Sequence, residues 1–265
     1  MEDAQMPTKP KPTIHLIKRF GWIPDKPDHR DKLWQMPKLL KGATQLVDLR
    51  PKIARIYDQG DLGSCTANAA AALVEFVDKE QGTDPVFEPA RLFIYYNTRI
   101  LEGTVNYDSG ATIRNSIKSV VQWGFPPEPS WPYEIKNFKK KPLKAVYNQA
   151  LLERITKYER VSQTPEHLKA RLAQGFPITF GFTVYPSFLS DKVASTGQMP
   201  MPKPDEPAQG GHAVLLVGYD EQRKVYFVQN SWGTGWGDKG TFYMPYDFVH
   251  NTRYCADFWT VTYVP

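Results

Sequence analysis

The sequence predicts an α+β protein with two lobes, because its two halves carry different patterns of apolar residues. In the first half, apolar residues recur with helical spacing and glycines follow the segments that show it. In the second half, short apolar or alternating runs are separated by turn residues, as in a β-rich unit. The 265 residues suffice to bury a sizeable core, as one large domain or as two lobes.

The N-terminal part differs from the rest of the chain, because it holds six prolines in its first 45 residues, many charges and little periodicity. Phe20 and Trp22 are large apolar side chains that need a surface to be buried on. We therefore expect residues 20–31 to form an extended arm over the body, and residues 1–12 to be a disordered tail. The predicted division is a Pro-rich arm, a helical lobe and a β-rich lobe at residues 1–45, 46–155 and 156–265.

Four helices are predicted in chain order. The first follows a glycine-punctuated loop and has Ser64 at its N-cap, ahead of an Ala-rich apolar segment. Proline near the start and glycine after the end delimit most of the others. They run from Glu88-Pro89 to Gly103, from Ala111 to Trp123 before Gly124, and from Thr164-Pro165 to Gly175. The Pro- and Lys-rich residues 125–145 are predicted to be irregular.

Five strands are predicted in the second half, each a short apolar or alternating run. The turn at residues 220–224 indicates a hairpin between two of them. The loop at residues 195–210 holds four prolines and is predicted to be stiff and exposed. The strands are expected at residues 178–184, 213–219, 225–229, 240–244 and 258–264.

Composition excludes several classes of protein. The formal net charge of +5 is mild, and the basic run Lys139–Lys141 is interpreted as a solvated loop, so we expect no nucleic-acid partner. No run approaches 18 apolar residues, and we expect no membrane span. With two cysteines, a disulfide framework or Cys-rich zinc site is excluded, and no metal or cofactor is expected. We expect a monomer in the cytoplasm, or one exported without a recognisable signal peptide.

Cys65 is the candidate nucleophile. It falls in the first turn of the Ala-rich helix, where unpaired N–H groups and the helix dipole favour an anion. A thiol in that position ionises more easily than an ordinary cysteine, whose pKa is about 8.5. A bridge to Cys255 is allowed on count alone, but the context of Cys255 is typical of a half-buried strand residue.

A thiol nucleophile needs a base, a group that orients the base, and donors for the oxyanion. Of the five histidines, His212 stands apart, because it follows two glycines and opens an apolar strand. Asn230 ends the next strand, where its side-chain carbonyl could fix the imidazole tautomer. Gln59 lies six residues before Cys65, where its amide could join the Cys65 backbone N–H as an oxyanion hole.

Three segments, Q-G-D-L-G-S-C-T-A, G-G-H-A-V-L-L-V-G-Y-D and N-S-W-G-T-G-W-G-D-K-G, together resemble the papain family of cysteine peptidases. The resemblance extends from about Asp48 to the C-terminus. It implies a papain-like fold and peptide-bond hydrolysis through a thioester, with Cys65 as nucleophile, His212 as base, Asn230 as orienting residue and Gln59 as oxyanion donor. It also implies substrate binding by Ser109, Gly110, Gly211 and Trp232.

The sequence departs from the family pattern at several points. Thr66 replaces the usual tryptophan after the nucleophile, Asp108 and Ser109 stand where a Cys-x-Gly-Gly strip is usual, and residues 1–45 do not resemble the long helical propeptide. These departures look like a bacterial or other non-lysosomal branch without disulfides. A catalytically silent peptide-binding relative, or an amidase or transpeptidase on the same fold, stays open as an alternative.

Two further hypotheses concern the cleft. Residues 20–45 are hypothesised to cover its primed side as a built-in inhibitor or specificity element, or else to be a packing strap across the lobes. The S2 pocket, which receives the second substrate residue before the scissile bond, is expected to prefer apolar or aromatic side chains. That expectation rests on the absence of acidic residues other than Asp108 beside residues 110–113.

Overall fold

Helices dominate the first half of the chain and one sheet dominates the second. The structure, a computed structural model, describes residues 20–37, 44–82, 87–152 and 155–263. The tail expected at residues 1–12 lies outside them. The helices are α1 (Cys65–Glu80), α2 (Arg91–Glu102), α3 (Ile113–Trp123), α4 (Lys144–Ala150), α5 (Pro165–Ala173), α6 (Asp191–Thr196) and α7 (Tyr246–Val249).

The sheet has seven antiparallel strands. Their order is β2-β7-β3-β4-β5-β6, and β1 also pairs with β4. Six of the strands come from the second half of the chain, which confirms the predicted α+β class. They are β1 (Leu46–Asp48), β2 (Lys157–Arg160), β3 (Ile178–Val184), β4 (Gly210–Asp220), β5 (Val225–Gln229), β6 (Thr241–Pro245) and β7 (Cys255–Tyr263).

Helix α1 lies at the centre of the molecule. Fourteen consecutive residues, Cys65–Asp78, are buried, and most of the first eight are alanine. Small side chains allow the helix backbone to approach its neighbours closely, and α1 packs against α2 and α3 on one side and β4 and β7 on the other. The sheet and the helices thereby meet along the helix whose first residue is Cys65.

Most predicted elements are present with boundaries shifted by a few residues. Gly103 and Gly124 follow α2 and α3, and Thr164 caps α5 by accepting the His167 backbone N–H. Strands β4 and β5 form the predicted hairpin. Ser64 occupies the predicted N-cap position of α1, but its hydroxyl makes no capping hydrogen bond and contacts the Tyr133 hydroxyl instead.

Five short elements were not predicted, namely β1, β2, α4, α6 and α7. Strand β1 is a three-residue strand that pairs with β4 and is too short to show alternation. Helix α4 lies at the end of a segment predicted to be irregular, and β2 carries charged residues at both ends. In the part of the chain that the structure describes, no helix is long and apolar enough to cross a membrane.

Candidate active site

Cys65 begins α1 and lies fully buried between that helix and strand β4. The backbone N–H groups of Ala213 and Gly21 lie close enough to its thiol to act on the thiol pKa, which they lower. Ala213 directly follows His212 in β4, so the thiol faces the strand that carries the predicted base. Because α1 and β4 belong to different halves of the chain, the site forms only when the helices pack on the sheet.

His212 and Asn230 are joined by a hydrogen bond of 2.8 Å between Nε2 and Oδ1. The Ser231 backbone N–H donates to the same Oδ1 at 2.8 Å, which identifies that atom as the acceptor oxygen. Nε2 of His212 therefore carries the proton, and Nδ1 keeps a lone pair. Nδ1 is buried and has no hydrogen-bond partner among the described residues, as a base awaiting a proton would be.

Trp232 shields this pair from water. Its ring lies 4.9 Å from the His212 ring, centroid to centroid, at an interplanar angle of 33°. Phe182, the β3 residue paired with His212 in the sheet, contacts the imidazole at 5.7 Å. The His212–Asn230 hydrogen bond is thus enclosed by aromatic rings, and low local polarity strengthens it.

Gln59 is fully buried in the loop that precedes α1. Its Oε1 accepts the Ser231 hydroxyl at 2.7 Å, and one Nε2 hydrogen is donated to the Leu62 carbonyl at 2.9 Å. The second Nε2 hydrogen remains available, as does the Cys65 backbone N–H, which α1 cannot satisfy at its first residue. The backbones of Gln59 and Ser231 are also joined, N–H to carbonyl, at 2.9 Å. Ser231 is the residue that positions Gln59, and the sequence analysis did not identify it.

Burial sets the ionisation of Cys65 and His212 in this structure. It raises the pKa of the Cys65 thiol to about 11, although nearby backbone N–H groups act in the opposite direction. It lowers the pKa of His212 to about 4, despite the hydrogen bond to Asn230. The lowered thiol pKa expected from the helix N-terminus does not hold here, because the site is closed to water and both groups are neutral.

The N-terminal arm closes the site. Gly21 lies so close to the loop before Cys65 that a Cβ atom on it would come within 1.9 Å of the Gly63 carbonyl oxygen. Phe20 lies over the catalytic side chains, 6.4 Å from the His212 ring and 6.5 Å from the Trp232 ring. Trp22 is 8% exposed. The arm therefore fills both sides of the cleft, where the sequence analysis expected it only on the primed side.

Backbone hydrogen bonds hold the arm in the cleft. The Ala111 N–H donates to the Gly21 carbonyl at 2.7 Å, and the Ile23 N–H donates to the Ala111 carbonyl at 2.9 Å. On the opposite wall, the Trp22 N–H donates to the Gly211 carbonyl at 2.9 Å. An extended peptide is thus paired along both edges of the cleft, as in recognition by strand addition.

The four predicted substrate-binding residues fall into two groups. Gly110, Gly211 and Trp232 line the cleft, because a Cβ on Gly110 or Gly211 would come within 2.4 Å of the arm backbone and Trp232 covers His212. The Ser109 side chain is turned to the Thr104 hydroxyl, 2.9 Å away, and away from the arm. On the wall that carries Gly110, the residue whose backbone pairs with the arm is Ala111, which was not among the predicted residues.

Residues 108–110 form one edge of the cleft, and Asp108 anchors them. Its carboxylate accepts the Gly63 backbone N–H at 3.1 Å and the Tyr95 hydroxyl at 2.6 Å. Tyr95 in turn accepts the Gly110 N–H at 3.2 Å. These hydrogen bonds tie residues 108–110 to the loop before Cys65.

Cys255 takes no part in the site. It is a free thiol in β7, paired with Phe182 in the sheet, and 1% exposed. Burial raises its pKa well above the ordinary value. Cys65 is free as well, so the bridge that the cysteine count allowed is absent. Cys255 is more deeply buried than the half-buried position predicted for it.

Comparison with known proteins agrees with this geometry. The model of the papain family of cysteine proteases matches residues 43–256. An uncharacterised peptidase C1-like protein of Acanthamoeba polyphaga mimivirus is 40% identical over 277 residues, covering 94% of this chain and 88% of that protein. Cysteine proteinase 3 of Entamoeba histolytica is 27% identical over 216 residues, and the match covers 78% of this chain and 65% of that protein.

A solved structure is similar along nearly the whole chain. The crystal structure of xylellain, a cysteine protease from Xylella fastidiosa, superposes with a TM-score of 0.86 at 40% sequence identity. The superposition covers 97% of this chain and 98% of xylellain. The similarity therefore includes the arm region as well as the two halves that form the site.

Proposed function

This chain belongs to the papain family of cysteine proteases, and from that premise we propose that Cys65, His212, Asn230 and Gln59 carry out its catalysis. The chain is a cysteine endopeptidase with peptide substrates. One observation carries the residue assignment: His212 has its proton held on Nε2 by Asn230 and an unpartnered, buried Nδ1, in the strand that adjoins the Cys65 thiol.

The reaction follows from these positions. His212 Nδ1 takes the thiol proton as Sγ of Cys65 attacks the scissile carbonyl carbon, and a C–S bond forms. The oxyanion is stabilised by the free Nε2–H of Gln59 and the Cys65 backbone N–H. The C–N bond then breaks and the amine leaves with the proton from Nδ1. Water, deprotonated by His212, hydrolyses the thioester and restores the thiol.

The arm is proposed to be an intramolecular inhibitor. Support comes from its backbone pairing with Ala111 and Gly211, its side chains in the cleft, and the burial that keeps Cys65 and His212 neutral. Turnover requires the arm to leave, after which solvent reaches the thiol and the helix N-terminus favours its ionised form. Residues 38–43, also included in the hypothesis, lie outside the described part of the chain.

The test of the catalytic assignment uses the two cysteines as a matched pair. Peptide mixtures are incubated with the full chain and with its Cys65→Ala and Cys255→Ala variants, and the products are identified by mass spectrometry. We expect cleavage at internal peptide bonds that is lost in Cys65→Ala and retained in Cys255→Ala. Measurable cleavage that is equal in Cys65→Ala and in the unaltered chain would overturn the assignment.

The same experiment separates the alternatives. With an amine acceptor added, hydrolysis gives free carboxylates, whereas a transpeptidase gives the amine adduct as main product. A silent peptide-binding protein would bind the peptides and leave them intact. Cytoplasmic location, or export without a recognisable signal peptide, and the monomeric state stay proposals from the sequence.

A further inference from the structure

The pocket filled by Trp22 has room for a large ring because glycines form its wall. A Cβ atom on Gly181, in β3, would lie within 2.0–2.3 Å of three atoms of the Trp22 indole. A Cβ on Gly211, in β4, would lie 2.7 Å from Cε3 of the same ring. Any other residue at these positions would occupy the space that the indole takes. The pocket therefore fits a planar bicyclic side chain between two strands.

An acidic side chain lies at the far end of this pocket. Asp257 is 4% exposed, and its Oδ2 accepts the Trp22 indole N–H at 3.2 Å. Asp257 sits in a bulge of β7, where three residue steps oppose two steps of β3, and its φ is +60°. A non-glycine residue rarely adopts that conformation, and bulges redirect side chains. The bulge turns the carboxylate toward the pocket.

The arm supplies both donors to Oδ2 of Asp257. One is the Trp22 indole N–H, and the other is the Asp25 backbone N–H, at 2.7 Å. The body supplies Arg160, which donates to Oδ1 at 3.1 Å. When the arm leaves, Oδ2 loses both of these donors while Oδ1 keeps Arg160. A buried carboxylate oxygen without a donor is costly, so the open pocket favours an occupant that carries an N–H.

We propose that this pocket, once the arm has left, binds a tryptophan side chain at P2 of the substrate, with Asp257 accepting the indole N–H. The inference rests on the proposed function, since the pocket adjoins the nucleophile: Gly21 lies at Cys65. Phe20, on one side of Gly21, contacts Trp232, which by the resemblance to the papain family lines the primed side. Trp22, on the other side of Gly21, therefore occupies the non-primed side where P2 binds, and the arm runs in the direction opposite to a substrate. It sharpens the expected preference for apolar or aromatic side chains by adding an acceptor that the sequence did not reveal.

The surrounding charges disfavour lysine or arginine at P2. In the arm-bound state, Arg160 pairs with Asp25, Asp31 and Asp257, and Arg114 pairs with Asp31. Asp25 and Asp31 belong to the arm and leave with it. Asp257 then pairs with Arg160 alone, and Arg114, which lies near the same Trp259 ring as Arg160, has lost Asp31. A third cation therefore meets net positive charge, whereas the neutral indole donor does not.

The test compares full-length protein on blocked fluorogenic peptides that differ only at P2, which is Trp, 3-benzothienylalanine, Leu or Arg. Benzothienylalanine matches Trp in shape but has sulfur in place of the N–H. Because the peptides compete for the same open enzyme, the ratio of kcat/KM values does not depend on how often the arm covers the cleft. We expect Trp to exceed benzothienylalanine by about 10-fold or more, as for a hydrogen bond to a charged group.

Two substitutions test which residues of the pocket cause the preference for Trp. Asp257→Gly, which tolerates φ of +60°, should bring the Trp to benzothienylalanine ratio close to 1. Gly181→Ala should lower the ratio of kcat/KM for the Trp peptide to that for the Leu peptide about 10-fold, because one methyl group meets the indole. The ratio is used because the same methyl group also displaces Trp22 of the arm and so changes the rate for every peptide. If Asp257→Gly fails to fold, comparing the Trp and benzothienylalanine peptides on the unaltered protein still tests whether the indole N–H contributes to binding.

The outcomes separate the two proposals. A preference for Leu or Arg, or equal rates for Trp and benzothienylalanine, overturns the role of Asp257 while Cys65-dependent hydrolysis persists. Absence of Cys65-dependent hydrolysis of every peptide, both in the unaltered protein and in the arm variant Gly21→Ala, overturns the proposed function and this inference together. A Trp preference that survives in Asp257→Gly also overturns the assignment to Asp257.

Discussion

The proton on His212 stays on Nε2 because Asn230 offers a carbonyl oxygen whose identity the Ser231 N–H fixes. In the proposed mechanism Asn230 is a positioning residue that acts through the imidazole. We expect Asn230→Ala to lower kcat about 10²-fold, since the base loses its orientation. Asn230→Asp keeps an acceptor at the same place and should recover most of that rate. Steady-state kinetics, with thermal unfolding as the check on folding, measures both.

A purely structural Asn230 would behave differently. The Ala and Asp variants would then lose rate in proportion to their loss of thermal stability, and the Asp variant would show no selective recovery. Retention of full kcat by Asn230→Ala would contradict the role assigned to this residue.

Single residues in compact motifs were the part of the site that could be predicted. Cys65, His212, Asn230 and Gln59 each stand in a local context that indicates their chemistry, and the structure gathers them around one cleft. Asp257 was out of reach. It lies 235 residues from its partner Trp22 in the sequence. Its orientation depends on a bulge in β7 that the local sequence does not predict.

The element proposed to control the site is the arm, and one of the residues that anchor it to the body, Asp25, is a titratable group. Burial, together with the neighbouring Asp257 carboxylate, raises the pKa of Asp25 to about 6, although Trp259 and Arg114 act against the rise. Arg160 also contacts this carboxylate, at 3.0 Å. In a released arm the pKa of Asp25 returns toward 3.8. The docked arm therefore holds the proton more tightly than the free arm.

The sign of the pH effect follows from this shift. Docking of the arm is strongest below about pH 4, weakens as the pH rises to about 6, and is weaker by on the order of 10- to 100-fold above that range. We expect the turnover ratio of the unaltered chain to the arm variant Gly21→Ala to rise with pH across this window. Measuring the ratio cancels the pH dependence of catalysis itself.

Asp25→Asn serves as the control, because a neutral amide cannot titrate. In that background the same ratio should be flat between pH 4 and 6.5. A ratio that falls with rising pH in the unaltered chain would show that Asp25 docks as a carboxylate, contrary to the raised pKa.

Among the helices and strands, the sequence predicted those that are bounded by glycines or by a polar turn. Helices α2 and α3 end before glycines, and the hairpin of β4 and β5 has a polar turn. Strand β1 has three residues and is defined only by its partner β4, so tertiary pairing decides it. The arm was signalled by Phe20 and Trp22, but its course through the cleft depends on contacts with residues more than 80 positions away.

For the whole molecule, the central claim is that a catalytic cleft between helices and sheet is held silent by the arm. Gly21 is the tightest point of that contact, because a single Cβ atom would meet the Gly63 backbone at 1.9 Å. Relief of such a clash costs about 1–3 kcal/mol, so Gly21→Ala should shift the arm toward release by roughly 10- to 100-fold. Gly235→Ala is the matched control, since nothing lies within 4 Å of a Cβ there.

The measurement that tests this claim most directly is brief labelling of the native protein with dilute iodoacetamide, followed by digestion and mass spectrometry. Cys65 and Cys255 are compared in the unaltered chain, Gly21→Ala and Gly235→Ala. We expect both thiols to be slow in the unaltered chain and in Gly235→Ala, and Cys65 alone to be labelled at least about 10-fold faster in Gly21→Ala, together with faster peptide turnover. Fast labelling of Cys65 in the unaltered chain, or no change in Gly21→Ala, would contradict the account.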